Sequence, residues 1–198
     1  MGFLSVLSQA HKWIGERVSP GDAVIDATAG GGVDSLFLAG LAGPSGTLYA
    51  FDIQKEALER TKLRLEELKQ QGKLPALHLM LDSHAAMLDK IDPLRHGKIA
   101  AVMFNLGYLP GGDETVITEP EGTILALNAA LELLRPGGII TCVLYPGHPG
   151  GEQEALAVED WAAALPQMKA QAVLYRQPQR SAAPYLLAIE KRRPPGSS

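Results

Sequence analysis

The stretch that decides the fold is Ala23-Val24-Ile25-Asp26-Ala27-Thr28-Ala29-Gly30-Gly31-Gly32-Val33-Asp34. A short apolar run, Ala23–Ala27, ends in a glycine cluster, and Asp34–Leu41 follows with helical spacing until Gly43-Pro44 stops it. Strand, glycine turn, helix is the opening unit of an open α/β sheet. Glycines at that turn let the backbone reverse sharply and approach a ligand at the carboxyl edge of the first strand.

Outward from this unit the same alternation repeats. Gly46–Phe51 reads as a second strand, Gln54–Gln71 as a long helix closed by Gly72, and Ala76–Leu81 as a third strand. Ile99–Phe104 and Ile139–Tyr145 are the fourth and fifth strands, with a helix at Gly122–Leu134 between them. Glu152–Leu165 is helical, and Ala170–Tyr175 and Pro184–Glu190 are two closing strands with no helix between them. Upstream, Phe3, Leu4, Leu7, Trp13 and Ile14 mark a leading amphipathic helix within residues 1–18, stopped by Pro20-Gly21. The expected fold is α/β: a doubly wound, mostly parallel Rossmann-like sheet whose final pair makes an antiparallel edge.

Length and composition fit one domain over residues 1–198, with a flexible tail at 192–198. The chain has 198 residues, 46% of them hydrophobic and 20% charged, enough for a sizeable core. No run approaches the roughly 18 apolar residues that span a bilayer, and no basic and apolar leader opens the chain, so the expected location is cytoplasmic, away from membranes. Cys142 lies in the apolar run Gly138–Leu144 and reads as a reduced core thiol. No spacing of His, Cys, Asp and Glu suggests a metal site.

The net charge of −4 argues against a protein that coats nucleic acid, DNA included, by bulk electrostatics; any RNA site must be local. Lys55–Lys73 mixes cations with Glu56, Glu59, Glu66 and Glu67 and reads as a solvated helix face. Arg176, Arg180, Lys191, Arg192 and Arg193 are the better RNA candidates, with Arg176 and Arg180 assigned to the substrate.

Carboxylates punctuate the strand ends. Asp26 opens the glycine turn, and D-x-x-x-G-x-G is the pattern of S-adenosylmethionine sites, where a carboxylate meets the cationic amino end of methionine and no pyrophosphate must be accommodated. A dinucleotide fingerprint would need Gly or Ala three residues after Gly32, where this chain has Ser35. Asp52 ends the second strand, 20 residues beyond Gly32, where a carboxylate can accept both ribose hydroxyl protons. Asp82, in Asp82-Ser83-His84, follows the third strand, the place from which methyltransferases hold adenine; a helix N-cap is the alternative reading.

The fourth strand opens into Phe104-Asn105-Leu106-Gly107-Tyr108-Leu109-Pro110-Gly111-Gly112-Asp113. Asn105 and Tyr108 take the outer places of an N-P-P-Y-like loop, which in amino-group methyltransferases holds an amine in line with the methyl–sulfonium bond and supports the target base on an aromatic ring. His148, in Tyr145-Pro146-Gly147-His148-Pro149-Gly150-Gly151, faces the same sheet edge, where an imidazole can take a proton from an amine or contact phosphate. Thr118, Glu119 and Thr123 either cap the next helix or close the substrate pocket. His11 and His96 stand in no partner pattern.

On these segments the chain resembles the rRNA-methylase family, from about Asp22 to Arg192. The resemblance rests on Asp26 to Gly30, Phe51 to Gln54, Asp82 to His84, Phe104 to Asp113 and Tyr145 to Gly151. It implies a class I S-adenosylmethionine-dependent methyltransferase, with S-adenosyl-L-methionine held by Asp26, Gly30, Gly31, Gly32, Asp34, Asp52, Gln54, Asp82, Ser83, His84 and Asn105. It implies catalytic roles for Asn105, Tyr108 and His148, and substrate contacts from Tyr108, Asp113, Tyr145 and His148. The implied reaction is N-methylation of the aminomethyl group of wobble 5-aminomethyl(-2-thio)uridine, with the tRNA anticodon region as partner and a homodimer allowed. The family commonly carries Asn and a polar residue where this chain has Gly31 and Val33, so backbone groups must serve there. An rRNA or small-molecule amine methyltransferase, a catalytically silent cofactor-binding module and an NAD-dependent oxidoreductase are the competing readings; Asp26 disfavours the last.

Overall fold

In the computed structural model, which describes residues 2–107 and 119–193, all seven strands form one sheet in the order β3-β2-β1-β4-β5-β7-β6. The elements follow the chain as α1 (Val6–Gly15), β1 (Ala23–Asp26), α2 (Val33–Ala42), β2 (Thr47–Asp52), α3 (Lys55–Gln70), β3 (Ala76–Leu81), α4 (Met87–Lys90), β4 (Ile99–Asn105), α5 (Pro120–Leu133), β5 (Leu134–Leu144), α6 (Gly151–Ala163), β6 (Ala170–Tyr175) and β7 (Tyr185–Lys191). Strands β1 to β5 are parallel. The chain leaves β1 toward β2 and β3 on one side and returns to β4 on the other, so the topological switch lies between β1 and β4.

Helices cover both faces. Val24, Leu48, Met103 and Val143 turn to one face and pack with Ala10 and Ile14 of α1, Leu38 and Ala42 of α2 and Leu65 of α3. Ile25, Phe51, Phe104 and Ile140 turn to the other, against Met87 of α4, Leu127 and Ala130 of α5 and Val158 of α6. Burial on both faces is why β1 and β4 read as nearly continuous apolar runs rather than alternating ones. Cys142 is a buried free thiol whose surroundings push its pKa well up, as expected of a core residue.

The expected antiparallel pair closes the sheet. β7 inserts antiparallel beside β5, and β6 pairs antiparallel with β7 and forms the rim. Two reversals restore the direction of β6, so its carboxyl end lies at the same edge as those of β1 to β5. One consequence corrects the basic group read from the sequence. Arg176 follows β6 at that edge, whereas Lys191 ends β7 at the opposite edge, donating to the carbonyls of Leu134 and Glu132 at 2.7 and 3.1 Å.

Other boundaries moved little. β5 begins at Leu134 rather than Ile139: the Arg135-Pro136-Gly137-Gly138 segment is laid along the sheet, with Leu134 opposite Ile99 and the Arg135 guanidinium gripping both Asp22 oxygens at 2.7 and 3.0 Å. Proline at the first turn lets α5 start at Pro120, ahead of the expected Gly122. No described helix is long and apolar enough to cross a membrane.

Candidate functional site

The glycine turn sits at the carboxyl end of β1, beside the switch point. Gly32 has φ +78°, and a Cβ there would lie 2.7 Å from the Thr61 backbone of α3, so only glycine permits this approach of α2 to α3. That corrects one expectation: Gly32 serves helix packing, while Gly30 and Gly31 border the cleft.

Asp26 is the second correction. Read from the sequence as a direct partner of a cationic ligand, it is fully buried beneath the turn, where its Oδ2 accepts the Ser35 hydroxyl at 2.6 Å and its Oδ1 the Thr28 N–H at 3.1 Å. Desolvation first, then the nearby Asp34 charge, push its pKa up to about 7. The acidic residue whose side chain reaches the cleft beside the turn is Asp34, in the first turn of α2.

The cleft has a volume of about 760 Å³, within the range of small-molecule sites, roughly 300–1,000 Å³. Gly30, Gly31, Asp34, Asp52, Gln54, Asp82, Ser83, His84, Asn105, Tyr145 and His148 all border it. The sequence thus named most of the wall. Asp52 accepts the Gly30 N–H and the Gln54 N–H, each at 2.9 Å, on separate oxygens, which ties the glycine turn to the end of β2 and leaves each oxygen a further lone pair.

Asp82 holds Lys90 at 2.9 Å and the Ser83 N–H at 2.8 Å; the Lys90 bond, then the Ser83 bond, keep its carboxyl below the usual range. His84 donates Nδ1–H to the Ala27 carbonyl at 3.2 Å. Burial pushes its imidazole pKa down, so the ring is neutral and Nε2 is an acceptor.

At the other end of the cleft, the Asn105 N–H donates to Thr28 Oγ1 at 2.8 Å, fixing where β4 ends. The Tyr145 phenol borders the same end of the cleft; burial pushes its pKa up and the neighbouring Asn105 side chain pulls it down. The Tyr145 and His148 rings lie 5.5 Å apart, and Gly107 lies against Tyr145, where an added Cβ would stand 3.6 Å from the ring. Tyr108, Asp113 and Thr118 lie outside the described residues.

Thr123 does not reach the cleft. Its hydroxyl donates to buried Glu154 at 2.6 Å, joining α5 to α6, while Glu119 and Gly122 border the cleft. Arg176 and Arg180 are apart from the cleft but on the same sheet edge: the turn that carries His148 meets the segment before β7, since a Cβ on Gly147 would stand 3.0 Å from the Ala182 carbonyl. Arg176 stacks over the Tyr185 ring at 5.3 Å and faces Glu159 at 3.6 Å, and Arg180 is exposed.

Three cleft features had no reading in the sequence. His11, on α1, bonds Asp34 at 2.7 Å. Arg60 borders the cleft from α3, and Arg64 donates Nε–H to the Gly31 carbonyl at 2.6 Å, so the charged helix face is not wholly solvated. A helical wheel of α3 puts Arg60 and Arg64 together at i,i+4, a signal that could have separated them from the ion-paired Lys55 and Glu59. No such signal joins His11 to a residue beyond the next strand.

A doubly wound sheet ending in an antiparallel pair, with a glycine turn and acidic strand ends along one edge, defines a class I S-adenosylmethionine-dependent methyltransferase. The family described as "Putative rRNA methylase" matches residues 48–190, and the chain belongs to that family. A chloroplastic tRNA (mnm(5)s(2)U34)-methyltransferase of Arabidopsis thaliana is 37% identical over 188 residues, 92% of this chain and 68% of the relative. A crystal structure of a "putative rRNA-methylase" from Clostridium thermocellum superposes with a TM-score of 0.89 at 39% identity, covering 96% of this chain and all (100%) of that one. A "putative methyltransferase" from Streptococcus mutans, solved in complex with S-adenosylhomocysteine, gives 0.83 at 32% identity, with 96% and 99% covered.

Proposed function

We propose that this chain is a tRNA methyltransferase that uses S-adenosyl-L-methionine to methylate the exocyclic amine of a wobble 5-aminomethyl(-2-thio)uridine. The observation that carries the reading is the make-up of one cleft, with Asp52 at its near end and Asn105, Tyr145 and His148 together at its far end; the named activity of the Arabidopsis relative supports the same substrate.

The wall fits the cofactor chemically. Asp52 offers charged acceptors to the ribose hydroxyls, neutral His84 offers Nε2 and Ser83 its backbone to the adenine edge, and Asp34 offers an anion to the methionine amino group. Glycines at 30 and 31 allow close approach. When bound, S-adenosyl-L-methionine supplies a methyl carbon on a positive sulfur, and the amine lone pair forms the new C–N bond as the C–S pair returns to sulfur, leaving S-adenosylhomocysteine.

The protein's part is positioning. Asn105, its backbone held by Thr28 and its side chain beside Tyr145, orients the amine; Tyr108 supports the base. An alkylamine arrives protonated at neutral pH, and His148 on the β5–α6 turn accepts a proton at its ring nitrogen as the amine enters or as the methylated ammonium leaves. The exposed Arg176–Arg180 segment, on the same edge, takes phosphates of the anticodon arm.

The test is methylation by purified protein of tRNA bearing 5-aminomethyluridine, followed by nucleoside mass spectrometry. The expected result is 5-methylaminomethyluridine formed only with S-adenosylmethionine present. Methylation of rRNA or of a free amine, with the tRNA left untouched, would overturn the substrate assignment.

A further inference from the structure

The Asp34 carboxylate is held from outside its own unit. His11, in the middle of α1, bonds Asp34 Oδ1 through Nε2 at 2.7 Å. Its ring lies flat on Phe37, with centroids 3.9 Å apart and planes 5° from parallel. Phe37 stands one turn beyond Asp34 on α2, so the two contacts fix both the plane and the direction of the imidazole.

Docking of α1 rests on other residues. Ala10 and Ile14 are fully buried in the core of that face, Arg17 holds Glu190 at 2.6 Å, and the Leu4 carbonyl accepts the Tyr175 hydroxyl at 2.8 Å. The His11 side chain is 28% exposed against 10% for Asp34. A partly exposed ring on an already anchored helix, aimed at a carboxylate that borders the cleft, is placed to act on that carboxylate.

We propose that His11 is a positioning residue for cofactor binding: its Nε2–H fixes the Asp34 carboxylate at the cleft rim, where it meets the cationic amino group of the cofactor's methionine part. The inference rests on the cofactor assignment above. Asp52 adds to the same negative field, since both Asp34 and Asp52 raise the pKa of Asp26, so the region favours a cation and gains from a donor that keeps Asp34 from turning away. The role is the holding of one rotamer, without contact between His11 and the reacting atoms.

Calorimetry with two ligands separates this role from packing. S-adenosylhomocysteine carries the amino acid part; 5′-methylthioadenosine keeps the adenosine and thioether and lacks it. His11→Ala is expected to weaken S-adenosylhomocysteine roughly tenfold, the scale of one charge-assisted hydrogen bond, and to leave 5′-methylthioadenosine unchanged. His11→Gln, which can place an amide donor where Nε2 stood, should restore most of the loss. Equal weakening of both ligands, or of neither, overturns the inference alone. Wild-type protein that binds neither ligand overturns the cofactor assignment and this inference with it.

Discussion

Ser35 donates its hydroxyl to Asp26 at 2.6 Å, and neither side chain meets solvent. This bond stitches the end of β1 to the first turn of α2, behind the glycine turn. Burial is the larger effect on the carboxyl and raises its pKa from the ordinary 3.8 to about 7. The folded protein therefore holds a proton that the unfolded chain releases above about pH 4, and stability contributed by this group is present at low pH and lost as pH rises toward 7. Asp26→Asn should flatten the fall in urea midpoint between about pH 4 and 7; an unchanged slope would mean that Asp26 is already ionised in the folded state.

Asp52 links two backbone N–H groups, Gly30 and Gln54, to the cleft. Asp52→Ala removes the proposed ribose acceptor and loosens the turn together. The expected loss in S-adenosylhomocysteine affinity is about 10- to 100-fold, from roughly 1.5–3 kcal/mol for hydrogen bonds to a charged group. Calorimetry on a variant with native circular dichroism decides it.

Asn105→Ala should leave cofactor affinity nearly unchanged and lower the single-turnover methylation rate on the order of 100-fold, the cost of misplacing a reacting atom by about 1 Å. Its backbone bond to Thr28 survives the substitution. Tyr145→Phe keeps the ring and removes the hydroxyl beside the Asn105 side chain, so it should lower the rate by less than Asn105→Ala. A Tyr145→Phe rate at the wild-type level would show that the Tyr145 hydroxyl contributes nothing to orientation.

The two edges of the sheet separate the basic residues. Arg180→Glu, on the sheet edge that carries the cleft, should weaken tRNA binding and reduce the log–log salt slope by about 1 for each phosphate left without its cation. Lys191→Ala and Arg192→Ala, at the opposite edge, should change neither. Filter binding across a salt series tests both halves, and a weakening confined to the Lys191 and Arg192 variants would move the RNA surface to the other edge.

Gly32→Ala places a Cβ 2.7 Å from Thr61 Cα at a backbone φ of +78°. The variant should lose about 1–3 kcal/mol of stability from strain and overlap, read as a lower thermal midpoint in the absence of ligand.

Much of the fold was legible because it is written in local signals. Apolar runs bounded by glycine mark β1 and β4, Gly43 and Gly72 stop α2 and α3 at positive φ, and the missing helix before Tyr185 announces the antiparallel end. The strand-end rule then puts Gly30, Asp52, Asp82 and Asn105 on one edge without any coordinates, because in a parallel sheet every strand points its carboxyl end the same way.

What the sequence could not decide is which way each side chain turns and which distant residue meets it. Asp26 and Asp34 are both acidic and flank the same glycines, yet one is buried on Ser35 and the other faces the cleft, a choice made by the packing of α2 on β1. His11 gained a partner only when α1 folded across α2. Arg176 and Lys191 look alike in a basic stretch, and only the double reversal through β7 and β6 sends them to opposite edges. Residue type and spacing along the chain determined the sheet and most of the cleft wall; the contacts between segments far apart in sequence, fixed by tertiary packing, determined which of those groups face the cleft.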